Sequence, residues 1–161
     1  MRARTTVPYL TLVLFVVAGG YVHLREWLDH YRYVPSSVPG AAVVRVGFPL
    51  DVAVSVGLAI VLTAIALHLV EGRIVPVAVA ATALFELGSL GVLIQSRTGS
   101  VFGWSEHLWT TGADQSRAVE IGAVLTAAAI GVLGQLRTTR TGVTPRAIDG
   151  RALQPLSRQR R

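Results

Sequence analysis

Four long apolar stretches dominate the pattern of hydrophobic and polar positions along the chain. They run over residues 7–24, 49–70, 74–94 and 115–136, and each is close to the ~20 apolar residues that a helix needs to cross a bilayer core. Because lipid offers backbone groups no hydrogen-bond partners, each stretch is predicted to be helical. The sequence therefore predicts an all-α integral membrane protein, an antiparallel four-helix bundle over residues 1–136.

Proline, glycine and capping residues predict where the helices begin and end. Pro49 fits the first turn of the second helix and Gly72 fits its C-terminal cap. The second and third helices are then predicted to form a tight antiparallel hairpin. Asp114 fits the N-cap of the fourth helix.

Two loops on one side of the predicted bundle carry aromatic residues. The first helix is predicted to extend as an amphipathic helix to about Tyr33, and a loop follows it. Between the third and fourth helices, residues 95–113 are too polar and too rich in Gly to span a bilayer. Trp104 and Trp109 in this stretch are typical of membrane interfaces. We therefore expect interfacial helical segments on this side, which is predicted to be the outer one.

The amino-acid composition limits the classes of protein and of chemistry that the chain can represent. Only 15% of the residues are charged and 52% are hydrophobic, which does not suit a soluble domain. The chain has no Cys, so thiol redox chemistry and thiolate metal sites are excluded.

The distribution of Arg predicts the orientation. Ten of the 15 basic residues, all of them Arg, lie in the N-terminal residues, the turn after the second helix and the tail over residues 137–161; five lie in the two other loops. The Arg-rich side is normally cytoplasmic, so both termini are expected inside a bacterial plasma membrane. The tail is predicted to be disordered and attracted to anionic lipid. It lacks the aromatic or folded platform of a nucleic-acid-binding surface.

The N-terminus also fits a different interpretation. Arg2 and Arg4, an apolar stretch and the sequence over residues 16–18 before Gly19 resemble a signal peptide with a cleavage site. Cleavage there would leave three spans. The apolar stretch continues past this point, which favours a first membrane helix.

Ionisable residues within the spans are the strongest clue to a functional site, because burying them in lipid is unfavourable. Glu86 lies near the middle of the third span, and Thr82 and Ser89 share its helix face at i−4 and i+3. This polar stripe is predicted to face the bundle interior. Glu86 is expected to be neutral or paired, either in a structural hydrogen bond or in a functional site.

The other three spans each place one ionisable group in the predicted outer half of the bilayer, namely His23, Asp51 and Glu120. Each has an alternative role. Asp51 suits the first turn of a helix, Glu120 suits contact with headgroups, and His23 suits an interfacial hydrogen bond. The face of Glu120 continues through small residues, which permits close helix approach: Ala123, Ala127 and Gly131.

A second constellation suggests a divalent transition metal. His23, Glu26 and His30 fall on one face of the first helix, and Glu106 and His107 lie in the other outer loop. Imidazole and carboxylate ligands together suit Zn, Cu, Fe or Ni. Charged and aromatic residues are also ordinary at an interface, so the pattern is weakly specific.

Two stretches resemble a known group of proteins. Gly20–Leu24 continuing to Tyr31–Pro35, and Ser96–Gly99 continuing to Gly103–Glu106, resemble uncharacterised small four-span membrane proteins of high-GC Gram-positive bacteria. The resemblance spans roughly residues 9–136 and implies architecture only. The chain is similar to DoxX-like proteins in size and span number, but no motif supports that link.

Three functions remain open from the sequence. The first is a non-enzymatic membrane protein that binds a small ligand or partner, such as a second copy or another membrane protein, through its outer polar cluster. The second is a small proton- or cation-coupled transporter that uses Glu86. The third is a membrane enzyme acting on lipid or quinone, with acid–base groups at headgroup level: His23, Glu26, Glu106 and His107.

Overall fold

The computed structural model describes residues 6–141, with side chains described as far as Leu136. Most of this range is helical, in α1 (Thr6–Asp29), α2 (Ala41–Ala66), α3 (Ile74–Thr98) and α4 (Thr111–Thr141). A single 3-10 turn, Tyr31–Tyr33, follows α1. Within residues 6–141 the only β-structure is one isolated bridge, so the predicted all-α four-helix fold is confirmed.

All four helices are long enough and apolar enough to cross a membrane. In the most hydrophobic 18-residue segment of each helix, only 17% to 22% of the segment is buried inside the protein. Large apolar side chains are exposed on every helix, among them Leu14, Ile60, Leu84 and Leu125. A soluble monomer does not expose this much continuous apolar surface. Lipid is the solvent that fits it, as predicted for a multi-pass membrane protein.

Two of the three pairs of consecutive helices pack closely. α1 packs against α2 and α4, and α3 packs mainly against α4. The core between them consists of the buried residues Leu12, Val16, Ala59, Leu62, Val79, Ala123 and Ala127. The predicted small-residue face of α4 is therefore buried at Ala123 and Ala127, whereas Gly131 is exposed.

The predicted tight hairpin of α2 and α3 is wrong. α2 ends at Ala66, before the predicted end at Val70, and residues 67–73 connect it to α3. The two helices are adjacent in sequence but pack only weakly against each other. The cavity described below lies between α2 and α3, toward the ends of the two helices that are opposite this linker.

A left-handed residue other than the predicted Gly72 ends α2. His68 has a φ of 58°, its N–H donates to Ile65 O at 3.0 Å, and the N–H of Leu69 donates to Ala64 O at 2.8 Å. This pair of bonds is the Schellman motif, in which glycine is the usual left-handed residue. The position of this helix C-cap was predicted wrongly because the sequence pattern for a left-handed cap residue is glycine and not histidine.

Pro49 lies inside α2 and not in its first turn as predicted. α2 begins at Ala41, so Asp51 lies roughly 15 Å along the helix instead of opening it. Proline has no N–H, which leaves the carbonyl of residue i−4 without its helical donor. That carbonyl belongs to Arg45, and the indole N–H of Trp27 in α1 donates to it at 3.1 Å. The proline thus creates an acceptor that joins α1 to α2.

The segment between α3 and α4 is not the predicted interfacial helix. Residues 99–110 contain a tight turn in which Val101 and Trp104 exchange two backbone hydrogen bonds of 2.7 and 2.9 Å. Phe102 and Gly103 at its tip both have positive φ, 48° and 88°, as a type I′ turn requires. The turn holds the Phe102 ring in an exposed position.

Thr110 caps α4, not Asp114. The helix begins at Thr111, and the Thr110 hydroxyl accepts a hydrogen bond from the N–H of Ala113 at 3.2 Å. Asp114 lies in the first turn, where an acid is also favourable.

α4 continues to Thr141, beyond its predicted end at Leu136. The rest of the predicted Arg-rich tail lies outside the described residues, as do Arg2 and Arg4. We call the end of the bundle formed by residues 30–40 and 99–110 the loop end.

Candidate functional site beside a lateral cavity

His23 joins three helices. Its Nδ1 lies 3.3 Å from Asp51 Oδ1 of α2, and its Nε2 lies 3.2 Å from Glu120 Oε1 of α4. Nε2 also lies 2.8 Å from Ser116 Oγ. The structure thus brings together three of the four ionisable groups that the sequence places at one depth.

Glu120 is the acceptor on which the donors converge. Its Oε1 accepts hydrogen bonds from Ser89 Oγ of α3 and from Ser116 Oγ, both at 2.8 Å. The side chain is 1% exposed, so Glu120 does not face headgroups, which was one of its two predicted roles. Among the described residues, its second oxygen, Oε2, is buried without a hydrogen-bond partner.

Glu86 and Thr82 differ in their relation to this site. Glu86 is 3% exposed and lies within electrostatic range of Glu120, Asp51 and His23. The Thr82 hydroxyl is fully buried but donates to Ala78 O at 2.9 Å within its own helix. The Thr82 hydroxyl is therefore satisfied within its own helix and is not part of the site, although Thr82 shares the predicted polar stripe.

We call His23, Asp51, Glu86, Ser89, Ser116 and Glu120 the buried polar cluster. A close crossing of α1 and α2 positions two of its members. An added Cβ on Gly20 would lie 2.9 Å from the Cβ of Ser55, so only glycine permits this approach. Gly20 is one turn from His23, and Ser55 is one turn from Asp51, which brings the imidazole and the carboxylate into contact.

A cavity of about 590 Å³ lies between α2 and α3. Its walls are mainly apolar, and four members of the buried polar cluster line it: His23, Asp51, Ser89 and Ser116. On α2 the lining runs from Val43 to Val54, roughly 16 Å along the helix axis. The cavity therefore reaches from the loop end into the membrane-spanning part of the bundle.

The mouth of this cavity faces the surroundings of the bundle. Leu50 of α2, Leu84 and Val92 of α3 and Phe102 of the tight turn all line it, and each is at least half exposed. Because the residues around the mouth are apolar, the mouth is suited to contact with lipid tails and not with water.

A hydrogen-bonded group of side chains, which we call the cap, lines the cavity at the loop end: Tyr31, Arg97 and Glu106. Arg97 Nη1 lies 3.0 Å from Glu106 Oε2 and donates to the carbonyls of Glu106 and Leu108 at 3.1 and 2.6 Å. The Tyr31 hydroxyl donates to Glu106 Oε2 at 2.5 Å, and its ring stacks on Phe48 with centroids 4.5 Å apart. Sequence reasoning missed Arg97 and Tyr31; opposite charges at residues 97 and 106 were the only signal.

The structure does not bring the five predicted metal ligands together. Glu26 and His30 lie 3.5 Å apart at the end of α1, Glu106 belongs to the cap, and His107 Nδ1 lies 3.3 Å from Arg97 O. His23 is in the buried polar cluster. Across residues 6–136 no group of three or more His, Asp or Glu side chains is arranged to hold a metal.

Ser116, His23 and Asp51 follow one another in the order of a Ser–His–acid triad, which sequence reasoning did not detect. Two features argue against nucleophilic catalysis. Ser116 Oγ donates to Glu120 Oε1, so Glu120 competes with His23 for the hydroxyl proton of Ser116. Ser116 also lies inside α4, where the neighbouring N–H groups bond within the helix and cannot stabilise an oxyanion.

The arrangement is therefore an apolar cavity with a lateral mouth and one polar, hydrogen-bonding wall. We call this wall the cavity floor; it consists of His23, Asp51, Ser89 and Ser116. Such a site can bind and orient a small molecule without reacting with it. Comparison of the chain with protein-family models, with curated proteins and with solved structures finds no match.

Proposed function

We propose that this multi-pass membrane protein binds a small lipid-soluble ligand in the cavity between α2 and α3 and catalyses no reaction on it. The observation that carries the proposal is the cavity itself. Its volume of about 590 Å³ falls within the roughly 300–1,000 Å³ of small-molecule sites, which combine apolar walls with a few convergent polar groups. The buried polar cluster supplies those groups.

The proposal includes a route from the membrane. A ligand dissolved in the bilayer reaches the mouth between Leu50 and Leu84 without crossing water, and its polar head then meets Asp51 and His23. The cap held by Arg97 lies at the loop end of the cavity, so the route that we propose is the apolar lateral mouth. Access through the lipid suits an amphipathic molecule with an apolar body.

The setting we propose is a bacterial plasma membrane with both termini in the cytoplasm and the loop end outside. The greater number of Arg residues on the terminal side supports this orientation. The Arg-rich tail would then lie near anionic lipid of the inner leaflet. The exposed apolar helix faces leave room for a second copy or another membrane protein beside the bundle.

Filling the cavity tests the proposal. Gly88 lines the mouth, and none of the described atoms lies within 4 Å of a Cβ added there. Gly88→Trp is therefore expected to fold, since helix propensity rises when Gly is replaced, while its indole occupies the cavity. Isothermal titration of the protein in lipid nanodiscs with decylamine, decanol and decanoate should show saturable binding of at least one probe. That binding should be lost in Gly88→Trp.

Gly57→Trp is the matched control. Gly57 also lies on an exposed helix face with no described atom within 4 Å of an added Cβ, but it does not line the cavity. This variant should bind as the unmodified protein does. If no probe binds saturably above empty nanodiscs, or if Gly88→Trp binds normally, the cavity is not a ligand site.

Transport coupled to Glu86 is a second candidate function. The observation that favours it is a carboxyl group that is 3% exposed and lies within electrostatic range of Glu120, Asp51 and His23. Proteoliposomes loaded with a pH-sensitive dye should then show a proton flux, driven by a cation gradient, that Glu86→Gln abolishes. Flux that is absent for every cation tested, or unchanged in Glu86→Gln, would exclude this function.

A further inference from the structure

We infer that the ligand of the cavity is a protonated amine with an apolar body, held by Asp51 at the cavity floor. The inference rests on the proposed function, because it assigns a chemical class to the ligand of that same cavity. Three features carry it: the sign of the charges around the cavity, the shortage of hydrogen-bond donors in the buried polar cluster, and the position of Asp51.

The charges that line the cavity are mostly negative. Glu26, Asp51 and Glu106 line it together with one Arg, Arg97. Arg97 is already paired with Glu106 at 3.0 Å, so it neutralises neither of the other two carboxyl groups. A cleft with apolar walls and one sign of charge concentrates ligands of the opposite sign.

Two further carboxyl groups are buried behind the residues that form the cavity floor. Glu86 and Glu120 are both buried next to Asp51 and His23. His23 is the only basic group that contacts these carboxyl groups in the part of the chain that the structure describes. With Glu86 neutral, one imidazole offsets at most one of the two negative charges of Asp51 and Glu120. The remaining charge favours a cation at the floor.

The cluster is also short of donors. The hydroxyls of Ser89 and Ser116 both donate to Glu120 Oε1, and His23 Nε2 faces the same oxygen. Glu120 Oε2 is left without a donor although the side chain is 1% exposed. A carboxylate oxygen that is both buried and unpartnered is unfavourable. The one hydroxyl proton of Ser89 goes to Glu120, so it is not available to the nearby carboxyl group of Asp51. A ligand head with several N–H groups supplies donors to Asp51, which lines the cavity.

Asp51 is the member of this acidic group that the ligand reaches. It lines the cavity, whereas Glu86 and Glu120 do not. Its side chain retains 16% exposure, and its carboxyl group lies near the hydroxyls of Ser55 and Ser89. An ammonium group at the floor therefore contacts Asp51 directly, while the buried Glu120 acts through its charge.

The experiment compares probes that share one decyl chain and differ in the head. Decylamine is charged with N–H donors, decyltrimethylammonium is charged without them, decanol is neutral and decanoate is an anion. Titrated into the full chain in lipid nanodiscs, decylamine is expected to bind roughly tenfold more tightly than decanol. Decyltrimethylammonium should lie between them, and decanoate should bind most weakly.

Asp51→Asn is expected to weaken decylamine binding roughly tenfold and to leave decanol binding unchanged. Asp114→Asn, which alters an exposed carboxyl group that does not line the cavity, should retain decylamine binding. Thermal unfolding of both variants in detergent shows that each one folds. Equal losses in Asp114→Asn and Asp51→Asn, or no loss in Asp51→Asn, would overturn the placement of the head at the floor.

The failure of this inference differs from the failure of the proposed function. If decanol or decanoate binds as tightly as decylamine, and Gly88→Trp removes that binding, the cavity is a ligand site for a different chemical class. If Gly88→Trp leaves all binding unchanged, the cavity itself is not the site. If decylamine shows no saturable binding, the amine is excluded.

Discussion

Arg97→Ala is expected to lower the free energy of unfolding by about 3 kcal/mol and to release residues 99–110 from the bundle. The Arg97 side chain is 4% exposed and holds the Glu106 carboxylate and two carbonyls of this segment. Removal of one partner from a buried ion pair leaves the other charge uncompensated, which costs roughly 3–5 kcal/mol when both are fully buried. Glu106 is 27% exposed, so the lower end of that range applies.

Arg117→Ala is the control for this prediction. Arg117 forms an ion pair of 2.9 Å with Asp114, but both side chains are about half exposed, and such pairs contribute about 0–1 kcal/mol. Equilibrium unfolding in detergent measures the difference, and amide hydrogen exchange locates it. Equal losses for the two variants, or unchanged exchange over residues 99–110 in Arg97→Ala, would show that Arg97 does not hold the cap.

Glu120→Ala is expected to destabilise the bundle by about 2–3 kcal/mol. Three polar groups on three helices, from His23, Ser89 and Ser116, lose their shared acceptor in a buried region. Hydrogen bonds within membranes contribute ~0.6 kcal/mol each on average, and donors left without an acceptor and the space left by the side chain add to the loss.

Glu120→Gln tests whether the acceptor or the carboxylate charge matters. The amide oxygen can still accept from Ser89 and Ser116, so the loss should be about 1 kcal/mol or less. Ser89→Ala should lose about as much, because it removes one hydrogen bond. The measurement is unfolding in detergent followed by circular dichroism. If Gln destabilises as strongly as Ala, the negative charge and not the hydrogen bonding holds the helices together.

The number and type of the helices were predictable because the length of an apolar stretch is a direct physical requirement of the bilayer. The ends of the helices were less predictable. Pro49 and Gly72 are typical of helix ends, but tertiary contacts placed both elsewhere. Trp27 provides a donor for the carbonyl that Pro49 leaves free, so the helix continues through the proline. His68 adopts the left-handed conformation that a sequence pattern assigns to glycine.

The candidate site was predictable in part. Counting along antiparallel helices places His23, Asp51 and Glu120 at similar depths, and the structure joins them. The cavity was not predictable in this way, because it depends on which helices are neighbours. Nothing in the local sequence states that α2 and α3 separate while α1 contacts α4. Ser116 was missed for the same reason, since its role depends on a histidine in another helix.

The packing order of the helices also constrains how the bundle assembles during synthesis. α1 and α2 have their main partner in each other and can associate as soon as both are inserted. α3 is synthesised next but packs chiefly against α4, so it has few contacts in the bundle until the last span enters the membrane. Ser89 then meets the acceptor that Glu120 carries. The site is thus completed only when the final helix docks, and a chain halted before α4 is expected to hold α1 and α2 together with α3 weakly attached.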